Sequence, residues 1–481
     1  MAAHLLYAPR TMASRQHLEI NSKQEQETGM RSAPQTVDVK QFIDDRPVSL
    51  YQWFVIAVCF LILTIDAYDV VAIGFAGPSF IGEWHITKAQ LGTAISAGVL
   101  GMTVGALLGG PLSDWTSPKR VLIVMLMTSA VGSILTAFVG GVGALTGLRF
   151  VTGIGLGAAM PVGLTLVHEY APTRRGSLLV NFVNCGVMLG AAACGVVAGI
   201  VIPVYGWGSI FIIGGVIPLG LAIAAIFVLP EPLRFMVSRN WPAQRVAAVM
   251  RRIAPDVAFD SSHFVLSEDE QSQKKVGVAV ILSPGFLFGT LMLWCAYSSA
   301  CFVFYLLNGW MPLLIRDSGA TLSQASFITS LYPLGGALGA LCLGWLMGRF
   351  EKNTVVAIAV AGGGVALWIL GGQKGNLGLL AASTFAAGMC VNGALMSMAS
   401  LAATFYSSSG RTTGISWMNG VGRFGGMLGP LAGGLMLKAN VDVSTMFALL
   451  AVPMLIQAAA LLLKRSAAAR TGALEYPSNL A

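Results

Sequence analysis

Two carboxylates stand three residues apart inside the first long apolar run of the chain, Asp66 and Asp69 in ILTIDAYDVVAIGF (62–75). A helix places residues three apart on one face, so both acids point the same way. The flanking residues read as membrane-spanning, and an ionised carboxylate there costs at least ~2.5–3.5 kcal/mol at the helix centre. Acids kept in such a position face a water-filled cavity or a partner cation, where they can exchange a proton or hold a counter-charge. The only basic residues inside apolar runs are Arg149 and Arg423. Arginine stays charged, and its planar fork suits a carboxylate. For each of these four residues the alternative is a purely structural tie between helices.

The elements that must position them follow from composition. The chain has 481 residues, 55% of them hydrophobic and only 10% charged, with mean hydropathy +0.74. An average soluble domain is about 25% charged, so a soluble core could not hide this much apolar surface. The fold class expected is an all-α membrane protein. Apolar segments long enough to cross a bilayer, about 20 residues each, fall at 51–78, 90–111, 119–140, 144–167, 178–202, 207–229, 286–311, 322–347, 353–371, 377–403, 412–437 and 444–464. These twelve spans divide the chain into a polar N-terminal segment (1–46), a first six-helix bundle (47–230), a polar central loop (231–283), a second bundle (284–465) and a tail (466–481). The N-terminal segment is expected to be largely disordered. It holds no secretory signal, so the first span serves as the insertion signal.

The formal net charge is +8, and its placement speaks for topology rather than nucleic acid. Of the 29 Lys and Arg, 23 fall in the N-terminal segment, the tail, the central loop and the loops on their side. Only Lys88, Arg316, Lys374 and Lys438 fall on the other. Basic excess marks the cytoplasmic side, so both termini are expected there. The two halves also repeat. Tyr170 and Tyr406, Arg175 and Arg411, Gly186 and Gly422, and Gly190 and Gly426 share one offset; Gly153 with Gly388, Gly105 with Gly339 and Gly110 with Gly344 come within two residues of it. Two bundles related by an axis along the membrane normal are an arrangement of secondary transporters. No Walker A motif is present, which argues against an ATP-driven exporter.

The loop after the second span reads GGPLSDWTSPKR (109–120). It resembles the G-x-x-x-D-R-x-G-R-R/K signature of the major facilitator superfamily at Gly110, Asp114, Lys119 and Arg120, and departs from it at Trp115, Ser117 and Pro118. DAYDVVAIGFAGP (66–78) resembles the first helix of the aromatic acid:proton symporter family, with Ala67 and Tyr68 for the family's Gly and Phe. RFVTGIGLGAAMP (149–161), EYAPTRRG (169–176) and TTGISWMNGVGRFGGMLGP (412–430) are similar to its fourth helix, the following loop and its eleventh helix. LPEPLRFMV (229–237) follows the broader superfamily pattern.

The resemblance implies a twelve-helix major facilitator fold in the plasma (inner) membrane that imports a benzoate-type, hydroxybenzoate or phenylpropionate acid with protons. Asp66 and Asp69 are then the proton-coupling candidates. At 1.5 Å per residue, Asp66 lies ~22 Å along the first span and Arg149 ~7 Å into the fourth. Their depths match, so Arg149 is expected to pair with the acids, Asp66 first, while Asp69 lies nearer the outer surface. Arg423, ~17 Å along its helix, is near the midplane and is the candidate for the substrate carboxylate. Asn419, one turn away, would bond substrate or orient the guanidinium. Trp417, Tyr305, Asn308 and Asn184 are further candidate substrate-binding residues, facing the cavity. Asp114 is expected to latch the end of a second-half helix, and Glu169 with Arg175 to join a cytoplasmic gating network.

No nucleophile–base constellation, metal-ligand spacing or cofactor motif is visible, so an enzyme is not expected. The seven cysteines all lie in apolar runs without a CxxC pair and read as packing residues. The competing readings are a proton-coupled carrier or exporter of another organic anion or sugar, and a sensor that binds aromatic acids without transport.

Overall fold

The computed structural model describes residues 31–32, 36–259, 263–266, 278–373, 375–406 and 410–470. The membrane part of the first half is α2 (Leu50–Trp84), α3 (Lys88–Trp115), α4 (Pro118–Thr136), α5 (Val142–Tyr170), α6 (Thr173–Tyr205) and α7 (Gly208–Val228). The second half is α11 (Pro284–Asp317), α12 (Leu322–Met347), α13 (Lys352–Gly372), α14 (Leu377–Phe405), α15 (Arg411–Lys438) and the pair α16 (Val443–Leu449) and α17 (Ala451–Arg470). Among the described residues, eleven helices are long and apolar enough to cross a membrane, with α16 and α17 counted as one. The twelfth expected span, α15, falls outside that group because Arg423, Asn419 and its many glycines dilute its apolar content. It nevertheless packs between α11 and α3 inside the bundle. Large apolar side chains on the outside, such as Leu107, Phe138 and Phe227, are exposed, which suits lipid and not water.

Local sequence explains where helices begin. Thr87 and Gln90 cap α3 reciprocally, and Thr321 with Gln324 do the same for α12. Such a box satisfies two otherwise orphaned donors. The two boxes stand at equivalent positions of the repeat, and helix packing repeats as well. Helix α3 packs on α5 as α12 packs on α14, α2 on α6 as α11 on α15, and α4 on α7 as α13 on α17. Most of the repeated glycines lie at these crossings, Gly110 and Gly344 being the exceptions. A Cβ on Gly105 would strike the Ile154 backbone and one on Gly339 that of Met389. Gly190 and Gly426 are pressed in the same way against α2 and α11. Small residues let backbones approach closely in a medium that offers no hydrophobic drive to helix association.

The halves meet through α3 with α15, α6 with α12, and α2 with α11. Gly92 lies against Pro430 and Gly434, Gly74 against Asn308 and Gly309, and Gly195 against Ser330. Ser96 donates to the Met427 carbonyl at 2.9 Å, Ser323 to that of Gly199 at 2.7 Å, and Lys88 pairs with Asp317 at 3.5 Å. All these contacts belong to the outer parts of their helices, away from the basic face. The outer side is therefore shut.

On the basic face the last part of the N-terminal segment is folded. β2 (Thr36–Asp38) and α1 (Val39–Asp44) follow β1 (Arg31–Ser32). Within the central loop lie α8 (Leu233–Ser238), α9 (Ala243–Ile253), β3 (Val257–Ala258) and β4 (His263–Val265), and α10 (Val278–Ile281) leads into the second half. β1 pairs with β3 and β2 with β4, both in parallel. Val37, Ile43 and Phe259 are buried in this layer. Asp44 accepts from the Thr173 amide and hydroxyl at 2.7 and 2.6 Å, and Arg46 bonds Asp256 at 3.1 Å. The disorder expected of the N-terminal segment lies outside the described residues for 1–30 and 33–35; residues 36–46 instead strap the α5–α6 turn to the central loop.

Candidate functional site

A narrow cavity of ≈ 30 Å³ lies between the halves, and Asp69, Arg149, Thr152, Tyr305 and Asn308 line it. Its first-half wall is an ion pair. Arg149 Nη1 lies 3.2 Å from Asp69 Oδ2, with both residues under 5% exposed. Arg149 reaches this position because Gly98, Gly101 and Gly153 bring the α3 and α5 backbones into contact. Other groups complete the pair. The Ser133 hydroxyl lies 2.5 Å from Asp69 Oδ1 and 3.1 Å from the Phe211 carbonyl. Arg149 Nη2 donates to Thr136 Oγ1 at 3.0 Å, and the guanidinium stands 4.9 Å from the centre of the Phe211 ring. An ion pair taken out of water is favourable only when such additional bonds satisfy its remaining donors and acceptors.

The expected pairing of Arg149 with Asp66 is corrected. Both Asp66 oxygens are buried without a hydrogen-bond partner among the described residues. Asp69 is the acid that Arg149 holds instead, and it is only 2% exposed. The reason is length. Helix α2 continues to Trp84 and α5 begins at Val142. The outer ends of both extend beyond the apolar runs, so depths measured from those runs misplace the acids by about one turn.

The second-half wall comes from α11. Tyr305 and Asn308 share one face of this helix and line the cavity. The Asn308 amide nitrogen donates to the Phe304 carbonyl at 2.8 Å. Arg423 lies beside this wall: the Tyr305 ring packs on Gly426, and Arg423 donates to the carbonyl of Met102, itself a cavity-lining residue. Arg423 thus spans the two halves at the edge of the cavity. Asn419 is half-buried on the preceding turn of α15. Trp417 is 43% exposed and stacks on Trp294 with ring centres 5.9 Å apart, towards the cytoplasmic end of α15. Asn184 is half-buried on α6 and is not among the residues that line the cavity.

A second, wider cavity of ≈ 390 Å³ opens at the Trp115 end of α3 and the Tyr170 end of α5, on the basic face. Asp114, Glu169 and Arg234 line it, with Ser113 and Ser238. The Asp114 carbonyl accepts from Arg239 at 2.6 Å, so the loop signature is tied to the central segment of its own half. Arg175 is exposed at the start of α6. Lys119 donates to the Ile226 carbonyl, and Ser117 bonds Glu231.

Ser133, Thr136 and Phe211 were not foreseen from sequence. Hydroxyls in membrane helices ordinarily bond back to their own helix, as Thr136 also does to Gly132, so nothing in their local sequence sets them apart.

Comparison with known proteins identifies the family of the chain. The family model described as Major Facilitator Superfamily matches residues 59–316 and 293–479. The chain is 42% identical to the 4-hydroxybenzoate transporter PcaK of Pseudomonas aeruginosa, across 90% of this chain and 96% of that protein. It is 38% identical to the gallate transporter of Pseudomonas putida, across 89% and 94%. A solved structure of the xylose transporter XylE from E. coli, in an inward open conformation, matches with a TM-score of 0.65 at 14% identity, across 86% of this chain and 95% of that one. With its repeated six-helix halves, its loop and helix motifs and these full-length matches, the chain belongs to the major facilitator superfamily, in the same family as the 4-hydroxybenzoate and gallate transporters.

Proposed function

We propose that the protein imports an aromatic monocarboxylate across the plasma (inner) membrane together with protons, by alternating access. One observation carries this reading: a buried Asp66 without a bonding partner stands one turn from a buried Asp69–Arg149 pair, at a cavity that both halves line. An ionised carboxylate buried without hydrogen bonds is expensive, and the neutral acid much less so. A proton symporter needs such a group, reached from each side in turn. Asp66 and Asp69 are assigned as the proton carriers. Arg149 is the counter-ion that holds Asp69 between protonations.

The substrate class follows from chemistry and relatives together. The relatives' names specify 4-hydroxybenzoate and gallate, both aromatic carboxylates. A carboxylate needs a cation in a desolvated site, and Arg423 stands at the cavity edge on the second half. It holds the Met102 carbonyl here and would hold the substrate carboxylate when the cavity widens. The present cavity is too small for an aromatic ring; rotation of one half against the other is what enlarges it. The shut outer side supports the inward-facing stage of that cycle. Asp114, Glu169 and Arg175 line or flank the cytoplasmic opening and are assigned to its gating.

The test is transport by the purified protein in liposomes. With the outside made acidic, labelled 4-hydroxybenzoate should accumulate inside, and collapse of the pH gradient should release it. Failure to accumulate any acid from a broad aromatic panel removes the proposal; accumulation that ignores the pH gradient removes its proton part.

A further inference from the structure

Two polar groups on the second-half wall of the cavity have an orientation that selects their ligand. The Asn308 side chain is about nine-tenths buried, and its amide group bonds the Phe304 carbonyl at 2.8 Å. A carbonyl only accepts, so the nitrogen must be the atom that faces Phe304. The amide oxygen is left as an acceptor on the cavity side, and it has no protein partner among the described residues. One turn earlier the Tyr305 hydroxyl also has no such partner, while its ring is fixed on Gly426 and edge-on to Phe304. Residues three apart share a helix face, so a pure acceptor and a hydroxyl stand side by side.

A phenol is the complement of that pair. Its O–H donates to an acceptor, and its oxygen accepts from a hydroxyl. We propose that Asn308 Oδ1 and the Tyr305 hydroxyl form a ring-hydroxyl subsite, which makes the protein selective for hydroxylated aromatic acids over their unsubstituted or methylated counterparts. The subsite rests on the aromatic-acid reading and adds the specificity that reading lacks. It stands on the wall opposite the Asp69–Arg149 pair. A methyl group placed there would bury the Asn308 oxygen against carbon and leave it unpaired, which is how sites that hydrogen-bond a substrate hydroxyl reject the analogue without one.

The experiment uses the purified full chain in detergent and measures displacement of labelled 4-hydroxybenzoate by unlabelled 4-hydroxybenzoate and by 4-methylbenzoate. The methyl compound fills the same volume without the hydrogen bonds. The native protein should prefer the hydroxyl compound by about tenfold or more, the worth of one or two buried hydrogen bonds. Asn308→Leu and Tyr305→Phe should each reduce that preference by roughly three- to tenfold. Affinity for 4-methylbenzoate should change little, because neither variant removes the Arg423 guanidinium. A merely structural role would weaken both ligands alike, and that result overturns the subsite. So does a native protein with no preference between the two. Tyr305→Phe removes a single oxygen and keeps the ring packing, so the test stands even if Asn308→Leu folds poorly. Binding of neither acid overturns the aromatic-acid reading, and the subsite with it.

Discussion

Arg149 pairs with Asp69 at 3.2 Å, while Asp66, one turn earlier on the same helix, bonds to nothing among the described residues. The two acids therefore do different work although they share a helix face. Asp69 is built into the wall by Arg149 and Ser133. Asp66 has no such fixture, and the neutral acid is the form that its surroundings hold most cheaply.

Asp66→Asn should abolish accumulation driven by a pH gradient and spare exchange of labelled for unlabelled substrate. The amide keeps the shape of the neutral acid but cannot give up a proton. Both processes are measured in the same liposomes. Uphill uptake at the native level by Asp66→Asn would move the proton site to another residue.

Arg149→Ala should lower stability by on the order of 3–5 kcal/mol, because it leaves the Asp69 charge buried without its partner. The loss should appear as a reduced yield of folded protein and a lower melting temperature in detergent. Combining it with Asp69→Asn removes the stranded charge and should restore much of the folded yield, without coupled transport. A combination with Asp66→Asn should not rescue. If the rescue instead comes through Asp66, the pairing described here is not the one that matters for folding.

How far these residues were legible in the sequence follows from what each signal measures. Charges in apolar runs are conspicuous, so Asp66, Asp69, Arg149 and Arg423 stood out at once. Helix number and the repeat were legible because hydropathy and small-residue spacing are local properties; the Gly105–Gly339 offset reappears as two matching helix crossings. Pairing was not legible. It depends on depth to within one turn, and apolar runs do not mark helix ends that closely. The Arg423–Met102 tie was hidden for a different reason: a backbone carbonyl has no side-chain identity to read. Trp417 is a substrate-binding candidate on residue type alone, and residue type says nothing of its stacking on Trp294.

Closure of the outer side depends on contact between backbones. A Cβ on Gly92 would come within 2.8 Å of the Pro430 carbonyl and 3.2 Å of the Gly434 Cα, both on the opposite half. These are backbone atoms and cannot turn aside as the end of a side chain can. Gly92→Val should therefore hold α3 and α15 apart and favour the state open to the outside. Expected results are binding of external substrate with transport lost, and increased labelling of a single cysteine placed on the outer half of α15. Normal transport by Gly92→Val would mean that this contact is not needed for closure.

Arg423 separates a carboxylate site from a structural tie, because it is placed to be either. In this conformation it donates to the Met102 carbonyl of the other half. A lysine at the same position could still donate to that carbonyl as a single point charge. What it cannot reproduce is the planar fork that holds a carboxylate through two parallel bonds. Arg423→Lys should therefore keep membrane insertion and the inter-half contact while weakening binding of benzoate-type acids by roughly ten- to a hundredfold, the worth of a hydrogen bond to a charged group. The amide of the same acid should bind the native protein poorly and be little affected by the substitution. Affinities of both ligands for native and variant protein in detergent decide the matter. If Arg423→Lys binds the acid as tightly as the native protein does, Arg423 serves only to hold Met102. The carboxylate would then belong to Arg149, whose Nε is buried without a bonding partner among the described residues.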